Sequence, residues 1–273
     1  MKFLNGAELA SYITERQAKQ VRGLIQSKNI HPKLAIINCN PQNLTIKTYI
    51  KLKIERAEQL QIQTALHEIP QTEVPQKLQE LTKDPTVHGI ILQLPLQNPK
   101  QTEQLLSLIP PQKDVDGLNP KTELKTITPA TPGAILWLLA GYNIDLKNKK
   151  ILIIGQGRLV GAPLAKILQE QNLEVQTLDI TNTPEELSLS IQNSDIIISA
   201  TGSPGLIKLK DLKDGQVMVD AGTSEQNGKI LGDVNPEVYN SKLNIKITPQ
   251  KGGLGPLTIS YLFENLLQLI DKN

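Results

Sequence analysis

A run of four apolar residues, Ile151–Ile154, passes directly into a glycine-rich turn, and a helical pattern follows as far as Leu168. Continuous apolar runs of this kind are typical of parallel strands that are buried on both faces. Glycines let the backbone turn tightly and approach a ligand, while unpaired N–H groups at the helix start attract phosphate. The G-x-G-x-x-x-G spacing of Gly155, Gly157 and Gly161 therefore predicts a dinucleotide-binding turn. A turn that needs glycine only for packing is the alternative.

Apolar strands and helical patterns alternate on both sides of this turn, which predicts the α/β class with mostly parallel sheets. The predicted strands are 34–37, 61–69, 89–94, 173–178, 195–199, 217–220 and 244–247. The predicted helices are 6–28, 45–60, 75–82, 101–109, 134–140 (starting near Pro132), 184–191 and 257–270. The series after residue 150 has the βαβαβ order of a doubly wound nucleotide-binding domain. The polar, turn-rich segment 113–120 marks a domain edge, so two domains are expected.

Composition excludes several classes of function. The net charge of the 273 residues is only +2 and the basic residues are spread along the chain, so no nucleic-acid partner is expected. The single cysteine, Cys39, excludes an intramolecular disulfide and fits a reducing compartment. No signal peptide is predicted at the N-terminus, and no apolar run approaches the ~20 residues that cross a bilayer. We therefore expect a cytoplasmic protein without a membrane partner. The three histidines, His31, His67 and His88, lack ligand spacing, so no metal is expected.

Tyr49 and Lys53 lie four residues apart in a predicted helix and so share one face. A phenol and an amine on one face could converge on one substrate. The alternative is an ordinary solvated face, which we also expect for Lys47 and Lys51. Because lysine is usually exposed, residue type alone favours the solvated alternative.

Three further features are candidates for ligand contact. Gln93 follows a buried strand directly, and the carboxyl ends of strands are where open α/β sheets bind ligands; its alternative role is to tie down the loop containing Pro95. Of Asp114 and Asp116, one could cap a turn while the other binds the donors of a heterocycle. The glycine-rich segment 252–256 is predicted to be a loop that allows close approach of a ligand, or simply a connector.

Taken in order, six segments of the chain resemble the methylenetetrahydrofolate dehydrogenase/cyclohydrolase family. They are Thr48–Lys53, Gly89–Leu96, Lys113–Gly117, Pro129–Pro132, Gly155–Pro163 and Gly252–Thr258. The resemblance implies an N-terminal α/β catalytic domain (1–120) and a C-terminal Rossmann-type dinucleotide-binding domain (121–255), with the folate in the cleft between them. It also implies that the C-terminal helix, 256–273, packs back on the first domain.

The resemblance further assigns roles to individual residues. It implies that Lys53 is the catalytic lysine, that Tyr49 stacks on the folate, that Gln93 hydrogen-bonds the lysine and that Asp116 holds the pterin N–H groups. These four are the expected catalytic residues. The other expected substrate contacts are Leu94, Pro95, Gly255 and Thr258. The expected cofactor contacts are Gly155, Gln156, Gly157, Val160, Asp179, Gly202 and Thr223.

The activity implied by the resemblance is oxidation of 5,10-methylenetetrahydrofolate with NAD(P)+ and hydrolysis of the product to 10-formyltetrahydrofolate, two steps of one-carbon metabolism. A homodimer is implied as well. The alternatives are a dehydrogenase of this family that lacks hydrolysis and, less favoured, a non-catalytic nucleotide-binding protein on the same fold.

Two positions bear on the choice between NAD and NADP. Gln156-Gly157 replaces the usual Arg-Ser of the family's nucleotide turn, and Asp179 follows the next strand. An acidic residue about 20 residues beyond the glycine turn suits a free ribose 2′-hydroxyl and repels a 2′-phosphate. Arg158 could partly offset that repulsion. The sequence thus favours NAD over NADP.

Overall fold

The computed structural model describes residues 1–124, 126–226 and 229–272. The strands are β1 Lys2–Phe3, β2 Lys33–Asn38, β3 Gln63–Glu68, β4 Gly89–Leu92, β5 Ile151–Ile154, β6 Val175–Leu178, β7 Ile196–Ser199, β8 Val217–Asp220, β9 Ser224–Gln226, β10 Lys229–Leu231 and β11 Lys246–Ile247. The α-helices are α1 Gly6–Lys28, α2 Leu44–Gln59, α3 Val74–Lys83, α4 Thr102–Leu106, α5 Ala130–Gly141, α6 Gly161–Glu170, α7 Pro184–Asn193, α8 Pro236–Tyr239 and α9 Leu254–Lys272.

The described residues divide into two compact units. The three-stranded unit contains residues 10–130 and the last helix from residue 259 onward. The six-stranded unit contains residues 1–9 and 131–258. These divisions fall at residues 9, 130 and 258, whereas the sequence placed the boundaries at 120 and 255. The assignment of folate binding to 1–120 and of cofactor binding to 121–255 stays a prediction.

The three-stranded unit has a parallel sheet in the order β3-β2-β4. Side chains of β2 alternate between two apolar layers, because successive residues of a strand point to opposite faces. Leu34 and Ile36 pack with residues of α1, α2 and α9. Ala35 and Ile37 pack with residues of α3 and α4. The central strand is therefore buried on both faces, which explains its continuous apolar sequence.

The six-stranded unit has an all-parallel sheet in the order β1-β11-β8-β7-β5-β6. Strands β5 to β8 and β11 follow the 2-1-3-4-5 order of a doubly wound fold, and β1 adds a strand at the edge. From β5 the chain moves first to β6 on one side and then to β7 on the other. The strand order therefore reverses between β5 and β7, and such folds bind ligands at the carboxyl ends of the strands at that point.

The predicted α/β class and alternating element order are confirmed. Four elements were not predicted, namely the strands β1, β9 and β10 and the helix α8. The predicted glycine-rich loop is wrong in its second half, because α9 begins at Leu254 and takes Gly255 and Pro256 into its first turn. Proline fits there because the first N–H groups of a helix have no intrahelical partner. For the same reason α5 begins at Ala130, before Pro132. Among the described residues, no helix is long and apolar enough to span a membrane.

Candidate active site

Lys53 lies on the buried face of α2. The buried positions of this helix are Ile46, Ile50, Lys53 and Ala57, which recur at helical spacing. Only 8% of Lys53 is exposed, so the solvated alternative is wrong for this residue. Lys47 and Lys51 of the same helix are exposed, as predicted. Because a lysine is almost never buried without a partner, a hydrogen-bond partner for this amine is expected.

Gln93 supplies the hydrogen-bond acceptor for this amine. Lys53 Nζ donates to Gln93 Oε1 at 2.8 Å. The Nε2 group of Gln93 donates to the carbonyl oxygen of Leu94 at 3.0 Å. Gln93 therefore holds the lysine and also ties down its own loop. Its predicted contact with substrate stays a prediction. Leu94 is partly buried, Pro95 is exposed, and the peptide bond that joins them is cis.

The two aspartates of the 114–116 segment have different roles. Asp114 is fully buried, and its carboxylate accepts hydrogen bonds from Gly117 N, Asn119 N and Thr122 Oγ1 at 3.1, 2.8 and 3.0 Å. Asp114 therefore caps the turn. The carboxylate of Asp116 accepts no hydrogen bond from the residues that the structure describes. It is the carboxylate that is available to a ligand.

The backbone around Asp116 is fixed from two sides. Ile90 N donates to Lys113 O at 2.7 Å, which extends the sheet beyond β4. The amine of Lys113 donates to three carbonyl oxygens at the C-terminal end of α3, where a cation is favoured by the helix dipole. From α9, Asn265 Nδ2 donates to Val115 O and Thr128 O at 2.9 and 2.8 Å. Asp116 is thus held on rigid backbone.

For both Lys53 and Asp116, burial and the charge of the other residue shift the pKa in opposite directions. Burial lowers the pKa of Lys53, while the nearby Asp116 carboxylate raises it. Burial raises the pKa of Asp116, and Lys53 lowers it. An amine whose pKa is lowered has a larger neutral fraction near neutral pH, and a neutral amine can accept a proton. The site can therefore supply a general base next to a carboxylate.

Tyr49 lies one helical turn before Lys53 on α2 and is partly exposed. The structure thus brings together Lys53, Gln93 and Asp116 in the three-stranded unit, with Tyr49 on the same helix as the lysine. Gly255 and Thr258 lie in the first turns of α9, within the six-stranded unit. Thr258 Oγ1 donates to Leu254 O at 3.2 Å, an ordinary intrahelical contact. Their predicted contact with substrate stays a prediction.

The glycine turn of the six-stranded unit contains two glycines that packing requires. Gly155 has φ +93°, and a Cβ there would lie 2.6 Å from Ala200 O. A Cβ on Gly161 would lie 1.7 Å from Gly155 O. A Cβ on Gly157 would meet no heavy atom within 4 Å. Packing among the described residues therefore explains the first and third glycines and leaves Gly157 unexplained.

The turn has the donors that a dinucleotide phosphate needs. The backbone N–H groups of Gln156 and Gly157 have no acceptor among the described residues, and Val160 directly precedes α6. The positive end of the helix dipole and these N–H groups favour an anion here. This local geometry is compatible with a bound phosphate, and binding of the dinucleotide by Gly155, Gln156, Gly157 and Val160 stays a prediction.

Asp179, Gly202 and Thr223 all lie at the carboxyl edge of the same sheet. Asp179 follows β6, whose last residue, Leu178, accepts a hydrogen bond from Gly155 N at 2.8 Å. Asp179 is exposed, as recognition of a ribose hydroxyl would require. Gly202 follows β7 with φ +67°, and a Cβ on it would lie 3.5 Å from Thr223 O, beyond β8. The predicted cofactor residues therefore follow β5, β6, β7 and β8 at one edge of the sheet, on both sides of the point where the strand order reverses.

Alanine substitutions at Gly157 and Gly161 form a matched pair. Gly157→Ala is expected to leave the thermal midpoint almost unchanged and to raise the Kd for NAD(P)+ by about tenfold, because the new methyl group blocks only the approach of a ligand. Gly161→Ala is expected to destabilise the fold by about 2 kcal/mol, since its methyl group overlaps the Gly155 carbonyl. Calorimetric melting and titration of each variant provide the measurements. Equal losses of stability in the two variants would contradict this assignment.

Several residues of the site were not predicted. Asn265 is fully buried on α9, and an asparagine inside an apolar helical stripe was the available signal. Asp220 and Asp233 of the six-stranded unit show no local signal, because their contacts join segments that are distant in the sequence.

Comparison with known proteins gives a consistent result. The model of the tetrahydrofolate dehydrogenase/cyclohydrolase catalytic domain matches residues 4–116, and that of the NAD(P)-binding domain of the same family matches residues 129–273. The chain is 37% identical to the bifunctional protein FolD of Lactobacillus acidophilus, over 98% of this chain and 96% of that protein.

Two crystal structures are similar along the whole chain. The bifunctional enzyme FolD from Campylobacter jejuni has a TM-score of 0.90 and 33% identity, with 100% of each chain covered. FolD from Trypanosoma brucei, crystallised with NADP and an inhibitor, has a TM-score of 0.91 and 27% identity, covering 99% of this chain and 97% of that one. This chain therefore belongs to the tetrahydrofolate dehydrogenase/cyclohydrolase family.

Proposed function

We propose that this protein oxidises 5,10-methylenetetrahydrofolate to 5,10-methenyltetrahydrofolate with NAD(P)+ and hydrolyses the product to 10-formyltetrahydrofolate. The observation that carries the proposal is the buried amine of Lys53, which donates to Gln93 and lies near the Asp116 carboxylate. Membership of the family and the phosphate-binding geometry at Gly157 support the dehydrogenase half.

The oxidation requires alignment more than a strong base. Hydride leaves the methylene carbon between two folate nitrogens, whose lone pairs stabilise the resulting methenyl cation. Bound NAD(P)+ supplies the hydride acceptor. The chain supplies orientation, with Asp116 accepting hydrogen bonds from the pterin N–H groups and Tyr49 stacking on the folate. Correct positioning alone can account for a large part of the rate of such a step.

The hydrolysis requires movement of protons. Water oxygen adds to the methenyl carbon, and Lys53, when neutral, takes the proton that the water releases. The hydroxyl of this adduct then loses its proton as the carbonyl forms, the C–N bond to N5 breaks and N5 gains a proton, which leaves the formyl group on N10. Gln93 fixes the direction of the amine through the 2.8 Å hydrogen bond. When charged, Lys53 opposes a second positive charge nearby, which disfavours the methenyl cation relative to its hydrolysis product.

The test uses the purified chain of residues 1–273 and two assays. Methylenetetrahydrofolate with NAD+ or NADP+ should give reduced cofactor, followed near 340 nm. Methenyltetrahydrofolate without any cofactor should lose its absorbance near 350–360 nm faster than in buffer. Oxidation without hydrolysis would support a dehydrogenase that lacks the second activity. Absence of any turnover would overturn the proposal and favour a non-catalytic nucleotide-binding protein.

We further propose that NAD is preferred over NADP, because Asp179 lies at the end of β6 with its carboxylate exposed. Replacing Asp179 by serine is expected to raise kcat/KM for NADP by about tenfold relative to NAD, since it removes a charge that repels the 2′-phosphate. Glu174→Ser is the matched control, because Glu174 is an exposed acid at the opposite end of the same strand. A clear NADP preference of the unmodified chain would contradict the proposal.

A cytoplasmic homodimer assembled through the six-stranded unit is also proposed. Strand β6 is the last strand of its sheet, and such an edge presents unpaired backbone groups to another chain. Two large apolar side chains near it are exposed, Ile180 by 92% and Leu189 by 61%. Light scattering should give twice the chain mass; a monomer at micromolar concentration would contradict a stable dimer.

A further inference from the structure

Asp233 holds together the backbone that follows β7. Its side chain is fully buried, and its carboxylate accepts hydrogen bonds from Ser199 Oγ at 2.7 Å, Thr201 N at 2.7 Å and Ser203 N at 2.9 Å. The last two donors flank Gly202. One carboxylate thus fixes the turn that contains a predicted cofactor residue. Hydrogen bonds to an ionised acceptor are stronger than those between neutral groups.

Asp220, the last residue of β8, holds the backbone of the segment that contains Asp233. Its carboxylate accepts hydrogen bonds from the backbone N–H groups of Gly222, Asp233 and Val234, each at 3.0 Å. Burial, against the effect of these bonds, raises the pKa of Asp220 to about 6. The hydrogen bonds from Asp233 N and Val234 N tie this segment to the end of β8.

Two glycines make room for the two carboxylates. A Cβ on Gly222 would lie 2.1 Å from Asp233 Oδ1, and a Cβ on Gly232 would lie 2.1 Å from Asp220 Oδ2. Each aspartate thus packs against the glycine beside the other. We call Asp220, Gly222, Gly232 and Asp233 the aspartate clasp. It ties the segment after β10 to the turns that follow β7 and β8.

The clasp lies at the edge of the sheet where the cofactor residues gather. Gly202 is the residue between the two backbone donors to Asp233, and Thr223 follows Gly222 directly. Because carboxyl-edge turns at the reversal point are where doubly wound sheets bind ligands, the position of these turns determines the shape of the site. A brace that only stabilised the fold would not need to be at this edge.

We propose that Asp233 is a positioning residue for the dinucleotide, which acts by fixing the turn 201–203 against Thr223. The proposal rests on the proposed function, in which Gly202 and Thr223 contact the cofactor. It assigns a role to a residue that touches neither folate nor, by its burial, the cofactor itself.

Asp233→Asn is the direct test, because asparagine offers one acceptor oxygen and turns an amide N–H group toward backbone donors. The expected result is a rise of about tenfold or more in the Kd of NAD+ and NADP+, measured by calorimetric titration, since small misplacements in a binding site have large effects. Hydrolysis of methenyltetrahydrofolate consumes no cofactor. Its kcat and KM are expected to stay within about twofold of the unmodified chain, which separates positioning from general loss of fold.

Asp211→Asn is the matched control. Asp211 is also buried in the six-stranded unit and accepts hydrogen bonds from Ser188 Oγ at 2.8 Å and Lys208 N at 3.0 Å. It holds neither the turn after β7 nor the one after β8. Its variant is therefore expected to lose stability without a selective loss of cofactor affinity.

Ser199→Ala keeps the proposal testable if Asp233→Asn does not fold. It removes one of the three donors to Asp233 and leaves the backbone contacts, so a smaller rise in cofactor Kd is expected. A cofactor Kd that does not change in a folded Asp233 or Ser199 variant would overturn the proposal. So would losses of cofactor binding, hydrolysis and thermal stability that run in parallel in the Asp233 and Asp211 variants. Failure of the proposed function would instead appear in the unmodified chain, as absence of turnover.

Discussion

Replacing Lys53 by methionine is expected to lower the cyclohydrolase rate by about a hundredfold to ten-thousandfold, the range that general acid–base groups supply. The dehydrogenase rate should fall by much less, because hydride transfer depends mainly on alignment. Methionine fills the buried position of Lys53 on α2 without a proton-accepting group. The two rates can be measured on one preparation, with methenyltetrahydrofolate for hydrolysis and methylenetetrahydrofolate plus cofactor for oxidation.

Lys51→Met is the control on the same helix. Lys51 is exposed, and its amine lies 3.7 Å from the Glu55 carboxylate. An exposed pair of this kind contributes little to stability, so both activities should be unaffected. Full cyclohydrolase activity in Lys53→Met would show that the assignment of hydrolysis to this residue is wrong.

Conversion of each aspartate of the 114–116 segment to asparagine should separate binding from stability. Asp116→Asn is expected to raise the KM for the folate substrate by about tenfold to a hundredfold, because an amide presents a donor where the pterin N–H groups need an acceptor. Its effect on stability should be small, since no described residue donates to the Asp116 carboxylate.

Asp114→Asn should instead reduce the stability of the fold more than it weakens substrate binding. The buried Asp114 carboxylate accepts three hydrogen bonds, and loss of part of this set should destabilise the fold by about 1–3 kcal/mol. Its effect on the KM for folate should be smaller than that of Asp116→Asn. Urea denaturation and steady-state kinetics of the two variants are the measurements. A pattern in which Asp114→Asn impairs substrate binding and Asp116→Asn impairs stability would contradict the assigned roles.

The sequence predicted those parts of the fold that depend on local pattern. The glycine turn after β5 and the apolar strands β2 and β4 were recognised because burial on both faces leaves a continuous apolar run. Strand β1 was not, because two residues show no periodicity and their partner, β11, lies more than 240 residues away. The start of α9 was misplaced because Gly255 is unfavourable inside a helix and resembles a loop residue.

The sequence indicated which residues are candidates for the site. It did not indicate which of them bind a ligand and which hold the backbone. Which of Asp114 and Asp116 caps the turn depends on Asn119 and Thr122, whose contacts no spacing rule gives. The burial of Lys53 depends on tertiary packing, against the ordinary exposure of lysine. The clasp formed by Asp220 and Asp233 depends on the β9–β10 hairpin, which the sequence did not predict. Predicted roles for individual residues came from the resemblance to the family, because local patterns do not indicate them.

The proposed hydrolysis depends on a lysine amine whose proton affinity is set by burial and by Asp116. The most direct measurement is an NMR titration of the Lys53 side-chain nitrogen, assigned with the Lys53→Met variant and repeated in Asp116→Asn. We expect a pKa of Lys53 below the ordinary value for lysine, because burial lowers it. A further decrease is expected in Asp116→Asn, where the carboxylate that raises this pKa is gone. A Lys53 pKa at the ordinary value, or one that Asp116→Asn leaves unchanged, would contradict this expectation.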